Sequence, residues 1–143
     1  METRRGVRVL FSSIIDLFTV VNKVFRINEY DWYFDEMELN YFFVAGGRYD
    51  GREFINRIDQ FSNLSFVRIR RYSKHESIMA INTYKEYIQS NCLTLILFYD
   101  GGYCDIYDKS DVIKDALYRE CSRIESCEVE CILENDIRES MYF

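Results

Sequence analysis

The chain has 143 residues, of which 48% are hydrophobic and 17% aromatic, and it contains no proline. A chain of this size buries about two-thirds of its unfolded surface and needs neither a metal nor a disulfide to fold. Disordered chains are poor in aromatic residues and usually rich in proline, so we expect ordered structure nearly end to end. With 24 acidic residues against 18 basic ones, the formal charge is −6. This charge disfavours duplex nucleic acid as a ligand and favours a cationic partner.

The amino-terminal region imitates a signal peptide, because three arginines precede an apolar stretch from Val9 to Phe25. Asp16 and Lys23 interrupt that stretch, and no small-residue cleavage pattern follows, so export is not expected. Val7 to Phe11 instead predict a strand, and the apolar residues that follow Ser13 recur at helical spacing. No apolar run in the chain is long enough to cross a membrane.

The cysteines indicate a reduced, cytoplasmic protein. They form an odd set of five without a Cys-x-x-Cys pair, whereas a secreted disulfide framework usually pairs an even number. Most are expected to pack as small apolar side chains. His75 is the only imidazole, and the paired spacing of a zinc site is missing, so neither a metal nor a cofactor is predicted. The five residues are Cys92, Cys104, Cys121, Cys127 and Cys131.

Four helices are predicted from their starts, where a capping side chain precedes a carboxylate by three residues. Such a pair suits the unpaired amides and the positive end of a new helix. The pairs are Ser13 with Asp16, Asp50 with Glu53, Thr83 with Glu86, and Asp108 with Asp111.

Strands are predicted between these helices. Tyr30 to Phe34 alternate large apolar side chains with Asp31 and Tyr33, which is the period of a half-buried strand. Thr94 to Tyr99 should fold back on Tyr103 to Tyr107, because the intervening Asp-Gly-Gly tolerates positive φ. Glu128 to Leu133 have a mixed polar face, which suggests a sheet edge. The other predicted strands are Val7 to Phe11, Leu39 to Ala45 and Phe66 to Tyr72.

The resulting order, β-α-β-β-α-β-α-β-β-α-β, predicts an α+β fold. We expect a single domain over residues 1–143, with a largely antiparallel mixed sheet and about four helices packed on it. No linker or low-complexity tract divides the chain. The order of the strands in the sheet and the oligomeric state stay open.

Gly46 to Glu53 imitate a phosphate-binding loop, because glycines five positions apart follow a strand and open a helix. Arg52 and Glu53 stand where such a loop needs a lysine and a serine or threonine. The favoured interpretation is a glycine turn with Asp50 as the helix cap, so nucleotide binding is not expected.

Arg68, Arg70, Arg71, Lys74 and His75 form the only basic concentration. Together with nearby aromatic residues it could bind single-stranded RNA or an anionic ligand. The favoured interpretation is a strand that exposes its arginines on the solvent face, where they pair with an acidic surface. His75 is predicted to lie in an exposed loop, and no catalytic residue is predicted.

Asp31, Tyr33, Asp35, Glu36 and Glu38 place acids beside aromatic residues on a predicted strand and the turn after it. Strand alternation puts Asp31, Tyr33 and Asp35 on one face. This composition is suited to steering towards and contacting a basic protein surface, and we predict a protein-binding site here. The alternative interpretation is a solvated sheet face.

Several short motifs relate the chain to a known family. It resembles domain-of-unknown-function family 2691, a small uncharacterised family of Gram-positive bacteria. The resemblance spans most of the chain and implies a bacterial, cytoplasmic protein, but it brings no established activity. The motifs are Tyr30–Phe34, Thr83–Tyr87, Ser90–Cys92, Asp105–Tyr107 and Glu134–Arg138.

The leading hypothesis is a non-enzymatic cytoplasmic protein-binding domain, with an immunity protein that neutralises a basic toxin as its specific form. The alternative is a small enzyme or ligand-binding domain whose pocket is lined by carboxylates and tyrosines. A deep pocket with convergent acids would favour the alternative, and a shallow acidic, aromatic surface would favour protein binding.

Overall fold

The centre of the protein is a seven-stranded sheet. The computed structural model of the chain describes residues 4–34, 37–39, 42–44, 47–57, 67–100, 102–125 and 127–134. The elements are β1 (Arg4–Leu10), α1 (Ile14–Val24), a 3-10 helix (Ile27–Glu29), β2 (Tyr30–Phe34), β3 (Met37–Leu39), β4 (Phe42–Val44), β5 (Gly47–Asp50), α2 (Gly51–Arg57), β6 (Val67–Ser73), α3 (Tyr84–Gln89), β7 (Thr94–Tyr99), β8 (Tyr103–Asp108), α4 (Asp111–Ser122) and β9 (Glu128–Leu133).

The strands of the large sheet lie in the order β5-β2-β6-β7-β8-β1-β9, and each neighbouring pair is antiparallel. The predicted α+β fold is therefore confirmed, as are the β7–β8 hairpin and the edge position of β9. Asp100, in the hairpin turn, has a φ of 52°. None of the helices in the described ranges has the length and apolar character needed to span a bilayer.

The prediction of one strand over Leu39 to Ala45 was wrong. Met37–Leu39 and Phe42–Val44 form two short antiparallel strands, β3 and β4, in a separate two-stranded sheet. Asn40, a residue type depleted from strands, lies between them in the sequence. Ala45 lies outside the described residues.

The helix face of the sheet, covered by α1, α2 and α4, holds the main hydrophobic core. The Trp32 ring stacks on Phe54 of α2, with ring centroids 4.6 Å apart, and meets the Phe25 ring edge-on. Its indole Nε1 donates a hydrogen bond of 3.1 Å to the carbonyl oxygen of Ile27. These contacts explain why large apolar residues occupy alternate positions of β2.

The segment that imitates a phosphate loop, Gly46 to Glu53, contains the strand β5 and the start of α2, where Gly51 packs closely against the 3-10 helix. Gly47–Asp50 form β5 rather than the predicted glycine turn, and Gly46 lies outside the described residues. A Cβ atom on Gly51 would lie 2.2 Å from the carbonyl oxygen of Ile27, so only glycine fits. The close contact with the 3-10 helix therefore explains why residue 51 is a glycine, and a phosphate-binding role is not needed to explain it.

Three of the four predicted helix caps lie where they were predicted. Asp50 accepts a hydrogen bond of 2.9 Å from the Glu53 amide, and the Thr83 hydroxyl accepts one of 3.1 Å from Glu86. Ser13 precedes α1 without a side-chain bond to it. The prediction for Asp108 was wrong, because the hydroxyl of Ser110 caps α4.

The opposite surface of the sheet, here called the tyrosine face, carries Tyr33, Tyr72, Tyr99, Tyr103 and Tyr107. A second hydrophobic cluster, which includes Tyr72, Tyr107 and Tyr87 of α3, covers its centre. The charged residues described next lie on either side of this cluster, around β2, which is next to the edge strand β5, and along the edge strand β9.

Candidate functional site

A row with four charged residues crosses five strands of the tyrosine face. The strand register aligns Arg68 of β6 with Leu97, Asp105, Arg8 and finally Glu130 of β9. Negative, positive and negative side chains thus follow one another on β8, β1 and β9. Opposite charges directly across strands stabilise the pairing.

Arg8 and Asp105 form the inner pair of this row. The Arg8 Nε and Nη2 atoms donate hydrogen bonds of 2.7 and 3.1 Å to the two carboxylate oxygens of Asp105, which is fully buried. The hydrogen bond to Asp105 raises the pKa of Arg8 further above its usual value. This bidentate pair is neutral as a whole, so it fixes the position of the Arg8 side chain rather than offering a binding charge.

Tyr99 joins this polar cluster through Asp105. Its hydroxyl donates a 3.4 Å hydrogen bond to Asp105, and burial, reinforced by that carboxylate, raises the pKa of Tyr99 to about 12. The phenol therefore stays protonated at neutral pH. Its ring stacks on Tyr103, with centroids 5.8 Å apart.

An open groove of about 290 Å³ borders this cluster at Arg8, and we call it the β9 groove. Tyr103 on its wall is 45% exposed. Glu128 and Glu130 are exposed, and Glu130 lies 3.8 Å from Arg8 Nη1. The outward character of the groove is therefore acidic and aromatic. It is lined by Arg8, Val9, Leu10, Tyr103, Glu128, Val129 and Glu130.

Among the residues of the predicted binding site, Asp31 and Tyr33 share the tyrosine face of β2, as the alternation predicted. Asp31 is only 8% exposed, and its Oδ2 accepts hydrogen bonds from Arg48 Nε at 2.9 Å and from the His75 amide at 3.1 Å. Asp31 thereby joins β2 to β5 and to the turn after β6. Asp35 and Glu36 lie outside the described residues, as does the side chain of Glu38, whose backbone lies in β3.

Tyr33 lies half-buried beside a basic group. The guanidinium of Arg70 lies 4.5 Å from the centroid of the Tyr33 ring and donates hydrogen bonds to the Tyr72 hydroxyl and the Met79 carbonyl. Tyr33 and Arg70, together with Arg68 and residues 78–82, line a second open cavity of about 340 Å³.

The prediction that β6 exposes its arginines to solvent was wrong for Arg70 and Arg71, which are 4% and 5% exposed. Arg71 Nε donates a 2.8 Å hydrogen bond to the Thr94 hydroxyl, and its Nη2 lies 3.4 Å from Asp108. The rings of Phe25 and Tyr30 lie 4.7 and 4.2 Å from its guanidinium carbon. Aromatic stacking and an internal carboxylate thus hold this charge inside the protein.

The remaining basic residues of that segment differ from one another. Lys74 and His75 are exposed, and His75 has a φ of 67° in the turn after β6, so the prediction of an exposed loop is confirmed. Arg68 is half-buried and donates a hydrogen bond to the carbonyl oxygen of Ile81. The concentration in sequence therefore does not form one basic surface.

The cysteines are all free thiols, and Cys92, Cys104 and Cys121 are buried as predicted for small apolar side chains. Burial raises the pKa of Cys92 to about 11 and that of Cys121 to about 12. Cys127 and Cys131 are half-buried. In the part of the chain that the structure describes, no three histidine, cysteine or acidic side chains converge as metal ligands would.

These differences predict two classes of thiol. Cys127 and Cys131 should react with Ellman's reagent in the native protein, because they are accessible. The three buried thiols should react at least about 100-fold more slowly, since each requires an opening of the structure. The Cys127→Ser/Cys131→Ser variant should lose the fast phase and keep the slow one. A fast phase that persists in this variant would contradict the assignment.

Sequence reasoning did not select the β9 groove. Arg8 and Tyr103 come from two strands far apart in the sequence, so only the register brings them together. The alternation of Glu128 and Glu130 on an edge strand was the signal available, because it places two carboxylates on one face.

The comparisons with known proteins agree with the sequence motifs. The family described as "Protein of unknown function (DUF2691)" matches residues 4–142. The chain belongs to this family. A curated relative, "Uncharacterized protein YncE" of Bacillus subtilis (strain 168), is 31% identical over 77 residues, which are 53% of this chain and 50% of the relative. The aligned part thus spans about half the length of that relative, and no solved structure matches the chain significantly.

Proposed function

We propose that this member of the family is a non-enzymatic protein-binding domain whose partner has a basic surface. The observation that carries the proposal is the β9 groove, an open acidic surface with an exposed tyrosine on its wall. Tyrosine offers contact area with little entropy to lose, and the neighbouring acids speed encounter with a cationic partner. The net charge of −6 acts in the same direction.

The second part of the proposed surface consists of residues of β2 and of the residues that follow it in the sequence. Tyr33, Asp35, Glu36 and Glu38 would contact the partner, and Asp31 would position Tyr33 by holding β2 against β5. The ion pair of Asp31 with Arg48 supports this division of roles, because a carboxylate engaged inside the protein has less to offer outside.

The shape of the β9 groove supports protein binding over the alternative, a small-ligand or enzyme pocket lined by carboxylates and tyrosines. Its volume of about 290 Å³ lies at the lower end of ligand pockets, and it is open rather than enclosed. The nearby carboxylate of Asp105 does not line the groove and is already bound by Arg8 and Tyr99. A side chain of a larger partner fits such a groove better than a free substrate does.

A cytoplasmic location belongs to the same proposal, and the five free thiols support it. The specific form of the proposal is an immunity protein that neutralises a basic toxin. A toxin gene beside the gene of this protein would name the partner.

The test is a pull-down from cell extract, followed by titration of the purified partner. We expect the wild type to capture a basic protein, and Asp35→Lys/Glu36→Lys to slow its association at least about tenfold. Glu29→Lys/Glu53→Lys is the matched control, because it changes the net charge equally at exposed residues of the 3-10 helix and α2. Equal capture by both folded variants would overturn the role of the β2 surface, and failure to capture any basic protein would overturn the proposed function.

A further inference from the structure

β9 forms one edge of the large sheet. It pairs with β1 on one side, and among the described residues no strand pairs with its other side. An edge strand presents a row of backbone N–H and C=O groups, with which an extended chain can form the next strand. The six residues Glu128–Leu133 are as long as an ordinary strand, so they offer a full template.

The charged residues of β9 itself and of its flanking residues are of one sign, although Arg8 of the neighbouring strand lies 3.8 Å from Glu130. Between Glu125 and Glu134 the sequence has four glutamates and neither a lysine nor an arginine. Glu128 and Glu130 are exposed on the tyrosine face, where they line the β9 groove. A strand that docks here would therefore lie beside a row of carboxylates.

The same charges disfavour a second copy of this chain as the docking strand. In one continuous sheet, a symmetric antiparallel pairing of two β9 strands sets Glu128 opposite Glu130 if it is centred on Val129, Glu130 opposite itself if centred on Glu130, and Glu128 opposite Glu134 if centred on Cys131. Like charges directly opposite each other destabilise a strand pair, whereas opposite charges stabilise it. The complementary occupant is an extended segment with basic residues at alternate positions.

We propose that β9 binds an extended, basic segment of a partner protein as an added antiparallel strand. Alternate lysine or arginine side chains of that segment lie over Glu128 and Glu130, and one of them reaches the exposed ring of Tyr103. Main-chain hydrogen bonds supply affinity, and the alternate side chains supply specificity. The inference rests on the proposed function and names the way in which the partner docks.

The first experiment measures fluorescence anisotropy with a labelled peptide of about nine residues that alternates lysine and threonine. The wild type should bind it, and Glu128→Lys/Glu130→Lys should weaken binding at least about tenfold and bind the matching glutamate–threonine peptide instead. Glu29→Lys/Glu53→Lys should stay within about twofold of the wild type, since its charges lie away from β9. Equal weakening by both variants would mean general attraction between charges and would overturn the inference.

The second experiment separates strand addition from charge alone. Two versions of the lysine–threonine peptide are N-methylated at alternate amides, so that one loses the N–H groups of one edge and the other loses those of the opposite edge. Strand addition uses one edge, so only one version should lose affinity by about tenfold or more. Equal affinity of both versions overturns the inference, whether or not the pull-down identifies a partner. A captured partner whose binding is unchanged by Glu128→Lys/Glu130→Lys would also overturn it, while leaving the proposed function intact.

Discussion

Gly6→Ala is expected to lower the free energy of unfolding by about 3 kcal/mol, the upper end of the range for overpacking. A Cβ atom on Gly6 would lie 1.9 Å from the carbonyl oxygen of Ile106 in β8, and 2.8 Å from its carbon. Both are backbone atoms, so no side-chain rotation can relieve the clash. β1 would have to move away from β8, and the Arg8–Asp105 pair between the same strands would move with it.

Gly47→Ala is the matched control for this prediction. Gly47 also lies in a strand of the sheet, but the nearest atom to a Cβ there is 3.6 Å away and belongs to a side chain. We expect a gain of about 0.5 kcal/mol, because alanine reduces the entropy of the unfolded chain. Urea unfolding of the two variants makes the comparison, and similar stability changes for both would contradict the role of backbone contact at Gly6.

Local patterns in the sequence predicted most of the elements. The helical spacing after Ser13, the alternation from Tyr30 to Phe34 and the Asp-Gly-Gly turn each concern neighbours within a few residues, where periodicity is informative. Capping chemistry is less precise, because Asp108, Ser110 and Asp111 are all good caps. The structure selects Ser110, and Asp108 instead turns inward.

The burial of Arg70 and Arg71 could not be read from local pattern. Arginine is usually exposed, and the exception depends on partners from other elements. Arg71 meets Asp108 of β8 and the rings of Phe25 and Tyr30, none of which is near it in the sequence. The β9 groove was missed for the same reason, because strand order determines which side chains meet across a sheet.

Arg71 and Asp108 form the pair whose disruption we expect to cost most. Their side chains are 6% and 1% exposed. Removing one partner of a buried ion pair costs about 3 to 5 kcal/mol, whereas replacing both can be nearly neutral. Arg71→Leu should therefore destabilise the protein by this amount near neutral pH. Arg71→Leu/Asp108→Asn should recover much of it, because the amide oxygen of the asparagine side chain would still accept hydrogen bonds from the Thr94 hydroxyl or the Ser110 amide.

The loss of stability caused by Arg71→Leu should also depend on pH. Burial raises the pKa of Asp108, while Thr94, the Ser110 amide and Arg71 act to lower it. Without Arg71 the folded-state pKa rises further above the unfolded value of about 3.9, so the folded state holds more protons between these two values. The free energy of unfolding then falls as the pH rises through that window, and the destabilisation is smallest at acid pH. Urea unfolding of Arg71→Leu and of the double variant at about pH 4.5, 6 and 7.5 isolates this dependence, since other groups titrate equally in both. A difference between the two variants that does not grow with pH would show that Asp108 is not the group left charged and buried.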